Sequence, residues 1–239
     1  MLSILDSIQA VLFDIGSTLV MGPSISPNKE VVKHFALKAE LAAQISRMIM
    51  CTDFKSASDV CDLLRRCGVQ VNKDDGDFLS RLWHDQETGA MPIPGALDAV
   101  RFFKEAGKTV GLLSDIWPPY YHAFTSACPE INELAEVKQL SFQAGMKKPE
   151  AAFFQSALRA LKSAPERVLM IGDTYDNDIA PAIRQGMKTA WILSRAEREV
   201  PALAGVIQGR LPRPDLTLAS IVELQSAVIQ ELFSGYQNT

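Results

Sequence analysis

The chain has little of what marks a membrane, nucleic-acid-binding or secreted protein. No apolar run approaches the ~20 residues that a membrane-spanning helix needs. Lys and Arg number 24 against 28 Asp and Glu, a net charge of −4. With no basic surplus to neutralise a phosphate backbone, nucleic acid is not expected as the main partner. The stretch Met1–Phe13 contains no Lys or Arg and does contain Asp6, so it does not read as a secretory signal. The 4 cysteines (Cys51, Cys61, Cys67 and Cys128) form no CxxC pair and have no His at zinc-finger spacing. They read as small apolar fillers in a reducing cytoplasm, although Cys61 and Cys67 are close enough in sequence to pair. No internal repeat or low-complexity tract is present.

What is present suits a folded enzyme-sized domain. Apolar residues make up 47% of the 239 residues and charged residues 22%. That composition supports a packed core, and the length allows one large domain or a core with an insert.

Short apolar runs that end on polar residues recur along the chain. Gln9–Asp14, Lys108–Asp115, Arg167–Asp173, Lys188–Leu193 and Asp215–Ser220 read as strands, with a further one near Glu136–Ser141. Continuous hydrophobicity fits strands buried on both faces of a parallel sheet. Helical patterns over Pro94–Ala106 (stopped by Gly107), Pro149–Leu161 and Ile179–Gln185 alternate with them. The expected fold class is therefore α/β, a Rossmann-like parallel sheet built from βαβ units. Such sheets place their chemistry at the carboxyl ends of the strands. Asp14, Ser114, Asp115 and Asp173 all fall there.

Between the first and second of these strands the rhythm changes to helices only. Pro27–Met50 reads as one long helix with Ser26 as N-cap. Ser56–Cys67 reads as a second, with Ser56 and Asp59 spaced as a capping box, and Phe78–Gln86 as a third. We expect residues 22–91 to form an inserted helical cap domain, with residues 1–21 and 92–239 as the catalytic core. Hinges are expected near Met21–Ser26 and Met91–Pro94.

Four segments carry chemistry: Phe13-Asp14-Ile-Gly16-Ser-Thr18-Leu19, Leu112-Leu-Ser114-Asp115, Gly145-Met-Lys-Lys148-Pro149-Glu150, and Ile171-Gly-Asp173-Thr-Tyr-Asp-Asn-Asp178. A carboxylate such as Asp14 is a weak nucleophile that positioning and charge neutralisation can activate. Crowded carboxylates call for a hard cation, and Mg²⁺ suits oxygen ligands and phosphate. An ammonium such as Lys148 adds positive charge for a transferring phosphoryl group.

In order and strand context, the four segments resemble the haloacid dehalogenase (HAD) superfamily across nearly the whole chain. The resemblance implies that Asp14 forms an aspartyl-phosphate and that Lys148 bridges the phosphoryl group to it. Lys148 is preferred over Lys147 because the family's Lys directly precedes the Pro. Thr18 and Ser114, with Asp115 beside them, are expected to position the phosphoryl group. Asp14, the Gly16 carbonyl and Asp173 are expected to bind Mg²⁺, and Asp178 to ligate it or to orient its waters and Lys148. The implied activity is Mg²⁺-dependent hydrolysis of a small phosphorylated metabolite by a cytoplasmic monomer or homodimer.

Position 16 departs from the family pattern. The family's second Asp, which protonates the leaving group and later activates water, is Gly here. General acid–base help is worth about 10²–10⁴-fold. Asp115 or a cap residue such as His84 could substitute. Alternatively, the substrate could carry a good leaving group, such as an acyl or sugar-1-phosphate. A third outcome is a feeble catalyst that mainly binds or regulates. A 2-haloacid dehalogenase is disfavoured, because that branch usually has an aromatic residue at position 16 and Asn at 115, and lacks the carboxylates of Asp173–Asp178. Outside these segments, Asp176 reads as a solvated or capping residue. Trp117-Pro-Pro-Tyr-Tyr121 reads equally as a substrate mouth or as core packing. His34, His84 and His122 read as ordinary surface or packing residues.

Overall fold

The computed structural model describes residues 3–23 and 25–230. Residues 1, 2, 24 and 231–239, which the expected core and the Met21–Ser26 connection include, lie outside them. The chain begins with α1 (Ile4–Ser7), β1 (Ala10–Phe13) and β2 (Val20–Met21). Four helices follow: α2 (Pro27–His34), α3 (Ala39–Cys51), α4 (Ala57–Arg66) and α5 (Lys73–Thr88). Next come β3 (Met91–Pro92), α6 (Ala96–Glu105), β4 (Thr109–Ser114), α7 (Pro118–Ala127), α8 (Pro129–Leu134), β5 (Val137–Leu140), α9 (Ser141–Ala144) and α10 (Ala151–Leu161). The remainder is β6 (Val168–Gly172), α11 (Ala180–Arg184), β7 (Lys188–Ile192), α12 (Ala196–Ile207), β8 (Leu216–Leu218) and α13 (Leu224–Gln230).

Six strands form one parallel sheet in the order β5-β4-β1-β6-β7-β8. The expected α/β Rossmann-like class is the observed one. Strand side chains alternate between faces. Val11 and Phe13 of β1 accordingly join Val110, Leu112, Leu169 and Ile171 in one apolar cluster, while Ala10 and Leu12 join Leu113, Val168 and Met170 in another. Being buried on both faces is what made these strands continuous apolar runs. β1 lies between β4 and β6, where the strand order reverses, and the carboxyl ends of all three strands converge on one crevice.

The helical stretch between β2 and β3 differs from expectation in two places. The long helix is broken into α2 and α3. Ala36 takes a positive φ of 47°, and the N–H groups of Ala36 and Leu37 fold back to the carbonyls of Lys33 and Val32. This is a Schellman-type stop without the usual glycine, and it lets α3 turn back and pack on α2. The third helix starts earlier than expected, at Lys73, because Asn72 and Asp75 form a capping box. The capping box of Ser56 and Asp59 forms as expected at the start of α4.

The four helices bury their own cluster, which includes Val31, Ile45, Ile49, Leu64, Leu79 and Trp83. Trp117, from the loop after β4, also belongs to it. Its ring meets Trp83 edge-on at 5.3 Å, and its Nε1 donates to Gln86 Oε1 at 3.0 Å. Ser141 Oγ donates to the Met50 carbonyl at 2.6 Å, and Arg47 pairs with Glu150. β2 and β3 form a two-stranded antiparallel ribbon where the chain enters and leaves this stretch. All four cysteines are free, so Cys61 and Cys67 do not pair. Among the described residues no helix is long and apolar enough to cross a membrane.

Candidate active site

A cavity of about 620 Å³ opens over the carboxyl ends of β1, β4 and β6. Asp14 directly follows β1 at its floor and is 6% exposed. Its Oδ1 accepts from Ser114 Oγ at 2.9 Å and from Lys148 Nζ at 2.7 Å. The same ammonium lies 2.6 Å from Asp178 Oδ1. Asp178 sits on a single π turn, Tyr175–Ile179, which aims its carboxyl back at the end of β6. There Gly172 is required, because a Cβ at 172 would collide with that carboxyl. Asp178 Oδ2 also accepts the Thr174 N–H at 3.0 Å.

Asp173 ends β6. Its Oδ2 is held by Arg195 Nε at 2.7 Å and Nη2 at 2.5 Å, and Thr174 Oγ1 donates to its Oδ1 at 3.2 Å. Asp115 Oδ1 accepts the Lys148 N–H at 2.8 Å, and its Oδ2 faces Lys147 Nζ at 3.5 Å. The site is thus an alternation of buried acids and bases. Burial alone would drive Lys148 toward the neutral amine, but Asp14, Asp178 and Asp115 outweigh it and push its pKa up. Burial pushes Asp173 and Asp178 up, with the charge of Asp14 adding to the effect against the pull of Arg195 and Lys148 respectively. Burial likewise pushes Asp115 up.

Asp14, Asp173 and Asp178 each offer a carboxylate oxygen, and the three oxygens lie within 4.8 Å of one another. Hard oxygen donors gathered in a buried, acid-rich spot fit Mg²⁺. Gly16 lines the cavity beside them.

Not every expected residue faces the cavity. Ser114 is 1% exposed and spends its hydroxyl on Asp14. Thr18 is fully buried behind the turn after β1, and its Oγ1 has no partner among the described residues. Ser17, at a φ of 60°, lines the cavity instead. Asp176 is exposed and does not line it, and neither do His34, His84 or His122. The aromatic run after β4 divides. Trp117 and Tyr120 line the cavity, whereas Tyr121 turns to the core and donates to Asn132 Oδ1. Sequence reasoning missed Arg195, Glu199 and Gln86. Arg195 follows β7, so the strand-end rule that singled out Asp173 applies to it as well. Gln86 reaches the wall only through the packing of α5 and α7, which no local pattern announces.

A parallel sheet with a carboxylate–ammonium cluster at its switch point is the arrangement of an α/β enzyme site. The HAD-hydrolase-like family model matches residues 145–224. The glyceraldehyde 3-phosphate phosphatase of Pyrococcus furiosus is 27% identical over 249 aligned positions, covering 95% of this chain and 98% of the relative. Among solved structures, the HAD phosphatase of Thermococcus onnurineus superposes with a TM-score of 0.56 at 17% identity, covering 92% of this chain and 97% of that one. The L-2-haloacid dehalogenase of Xanthobacter autotrophicus gives 0.57 at 14%, covering 93% and 98%. The chain is thus similar to hydrolases of the haloacid dehalogenase superfamily, in sequence over residues 145–224 and in fold over nearly its whole length.

Proposed function

We propose that the protein is a phosphatase that hydrolyses a small phosphorylated metabolite in the cytoplasm through an aspartyl-phosphate on Asp14. The observation that carries this reading is the bracing of Asp14. One oxygen is pinned by Ser114 and Lys148, so the carboxyl has a fixed orientation at the floor of the cavity. An Asp14 oxygen attacks phosphorus, the bond from phosphorus to the leaving oxygen breaks, and water then attacks the aspartyl-phosphate to restore the carboxylate and release phosphate. Lys148 neutralises charge shared between Asp14 and the phosphoryl oxygens. Ser114 holds Asp14 in line, and Asp115, fixed by the Lys148 N–H, lines the cavity next to them. Asp14, Asp173, Asp178 and the Gly16 carbonyl are the residues that would hold Mg²⁺, which when bound supplies positive charge to the phosphoryl oxygens.

We assign residues 22–91 as a cap over a core of 1–21 and 92–239. Gly22, Pro23, residues 25–29, Met50 and Gln86 contribute to the cavity wall, which supports this assignment. The substrate named for the Pyrococcus furiosus relative, a small phosphorylated aldehyde, supports the substrate size. The acid-rich cluster favours phosphoryl transfer over carbon–halogen cleavage.

Asp14→Asn tests the reading. Phosphate release from p-nitrophenyl phosphate, acetyl phosphate or sugar phosphates is expected to fall to background, and retained turnover would remove Asp14 as the nucleophile. Gly16 favours one second reading, a binding or regulatory protein. Phosphate-analogue binding with no turnover across that same panel would select it.

A further inference from the structure

Side chains at alternate positions along an extended segment share a face. Position 16 lies two residues beyond Asp14 and lines the same cavity, so a side chain there would enter the cavity beside the proposed nucleophile. Gly16 offers none, and a Cβ built on it would meet nothing within 4 Å. The other carboxyls on the wall are already engaged. Asp173 is held by Arg195, and Asp178 by Lys148 and the Thr174 N–H. Asp115 takes the Lys148 N–H and faces Lys147, while Glu199 Oε2 takes the Tyr175 N–H at 2.8 Å. Among the described residues no histidine lines the cavity. Tyr120 presents a hydroxyl, packed so closely on Gly22 that a Cβ there would collide with it. Burial pushes that hydroxyl's pKa up, which makes it a poor proton donor. Five cations, Lys29, Lys147, Lys148, Arg195 and Arg198, line the wall alongside these acids.

We propose that this cavity selects phosphate compounds whose leaving oxygen departs as an anion, acyl phosphates first and anomeric sugar phosphates next, over simple alkyl phosphate esters. The proposal rests on the phosphatase reading and names its substrate class. In the first step the Asp14 oxygen bonds to phosphorus while the leaving oxygen takes the electron pair of the breaking P–O bond. For an acyl phosphate that oxygen becomes a carboxylate and needs no proton. The wall's cations stabilise it by charge alone. Water then splits the aspartyl-phosphate, restoring the Asp14 carboxylate and giving inorganic phosphate, with the proton passing to solvent. An alkyl ester would have to expel an alkoxide, and among the described residues no carboxyl or imidazole on this wall is free to protonate it.

The test is the dependence of kcat/KM, which reports the first step, on leaving-group pKa. Acetyl phosphate, a series of substituted phenyl phosphates and glyceraldehyde 3-phosphate are compared in the full chain with Mg²⁺. A steep fall along the series is expected, with glyceraldehyde 3-phosphate slowest. Gly16→Asp places a carboxyl in the open space and should flatten the dependence. It should raise kcat/KM for phenyl phosphate by about 10²-fold, the lower end of general-acid assistance, and for acetyl phosphate by far less. A shallow dependence in the unaltered protein, or glyceraldehyde 3-phosphate outrunning acetyl phosphate, would overturn the substrate class and leave the phosphatase reading standing. Absence of Asp14-dependent turnover of every compound would overturn both.

Discussion

Lys148 Nζ lies 2.7 Å from Asp14 Oδ1, although 134 positions separate the two residues in the chain. The contact is buried on both sides, and the same nitrogen reaches Asp178 at 2.6 Å. One ammonium therefore holds together two loops that leave different strands, the one that supplies the proposed nucleophile and the one that completes the carboxylate cluster.

Removing that ammonium should be costly. Lys148→Met leaves Asp14 and Asp178 as buried charges without their counter-ion, and breaking such a pair costs about 3–5 kcal/mol. We expect a loss of this size in urea denaturation, together with loss of phosphate release. A variant as stable as the parent would show that the ion pair does not organise the site.

The carboxylate cluster predicts a metal-linked gain in stability. Mg²⁺ at about 100 times its dissociation constant should stabilise the fold by about 2.7 kcal/mol. For a domain of this size that is a rise in Tm of about 5–10 °C. EDTA should reverse the gain and silence phosphate release, and Asp173→Asn should abolish the shift. A Tm indifferent to both Mg²⁺ and EDTA would argue against the assigned ligands.

Trp117 ties the helical insert to the loop after β4. It is 2% exposed, packs on Trp83 and donates to Gln86. Trp117→Ala should cost about 3–5 kcal/mol, the range for deleting a large buried aromatic. Hydrogen exchange should accelerate in α5 and α7 ahead of the central strands. Uniform acceleration across the molecule would mean that Trp117 supports the whole fold rather than this junction.

Asp75 predicts the sign of one pH effect. The Asn72 N–H and His34 hold its carboxyl below the usual carboxylate range. The ionised form is therefore favoured in the folded chain. Its contribution is present above the unfolded value of about 3.9 and is lost as pH falls through the lower folded value. Asp75→Ala should destabilise the protein more at pH 7 than at pH 3 in chemical denaturation. An equal loss at both would assign the effect to the shape of the helix start rather than to its charge.

Much of the architecture is legible along the chain because local physics dictates it. Strands buried on both faces must be continuous apolar runs, so the four inner strands β4, β1, β6 and β7 stand out, whereas the edge strands β5 and β8 are shorter or more polar. Asp14, Ser114 and Asp173 could be placed at strand ends because a parallel sheet turns its chemistry there. Lys148 was reached through motif resemblance, since nothing local distinguishes it from Lys147. Two helix boundaries differ from expectation for opposite reasons. At Ala36 the chain accepts a left-handed residue without glycine because α3 packs back on α2, while at Asn72 an ordinary capping box starts the helix.

The amino-acid order by itself determined the α/β class, the four loops and the missing side chain at position 16. Tertiary structure alone decided which polar groups meet: Arg195 on Asp173, Trp117 among the insert's apolar residues, Ser114 turned onto Asp14, and Thr18 withdrawn behind the loop. Hydrophobic periodicity records which face of an element is buried. A polar partner is set by the register of strands and the docking of helices far apart in the chain, which leave no periodic trace.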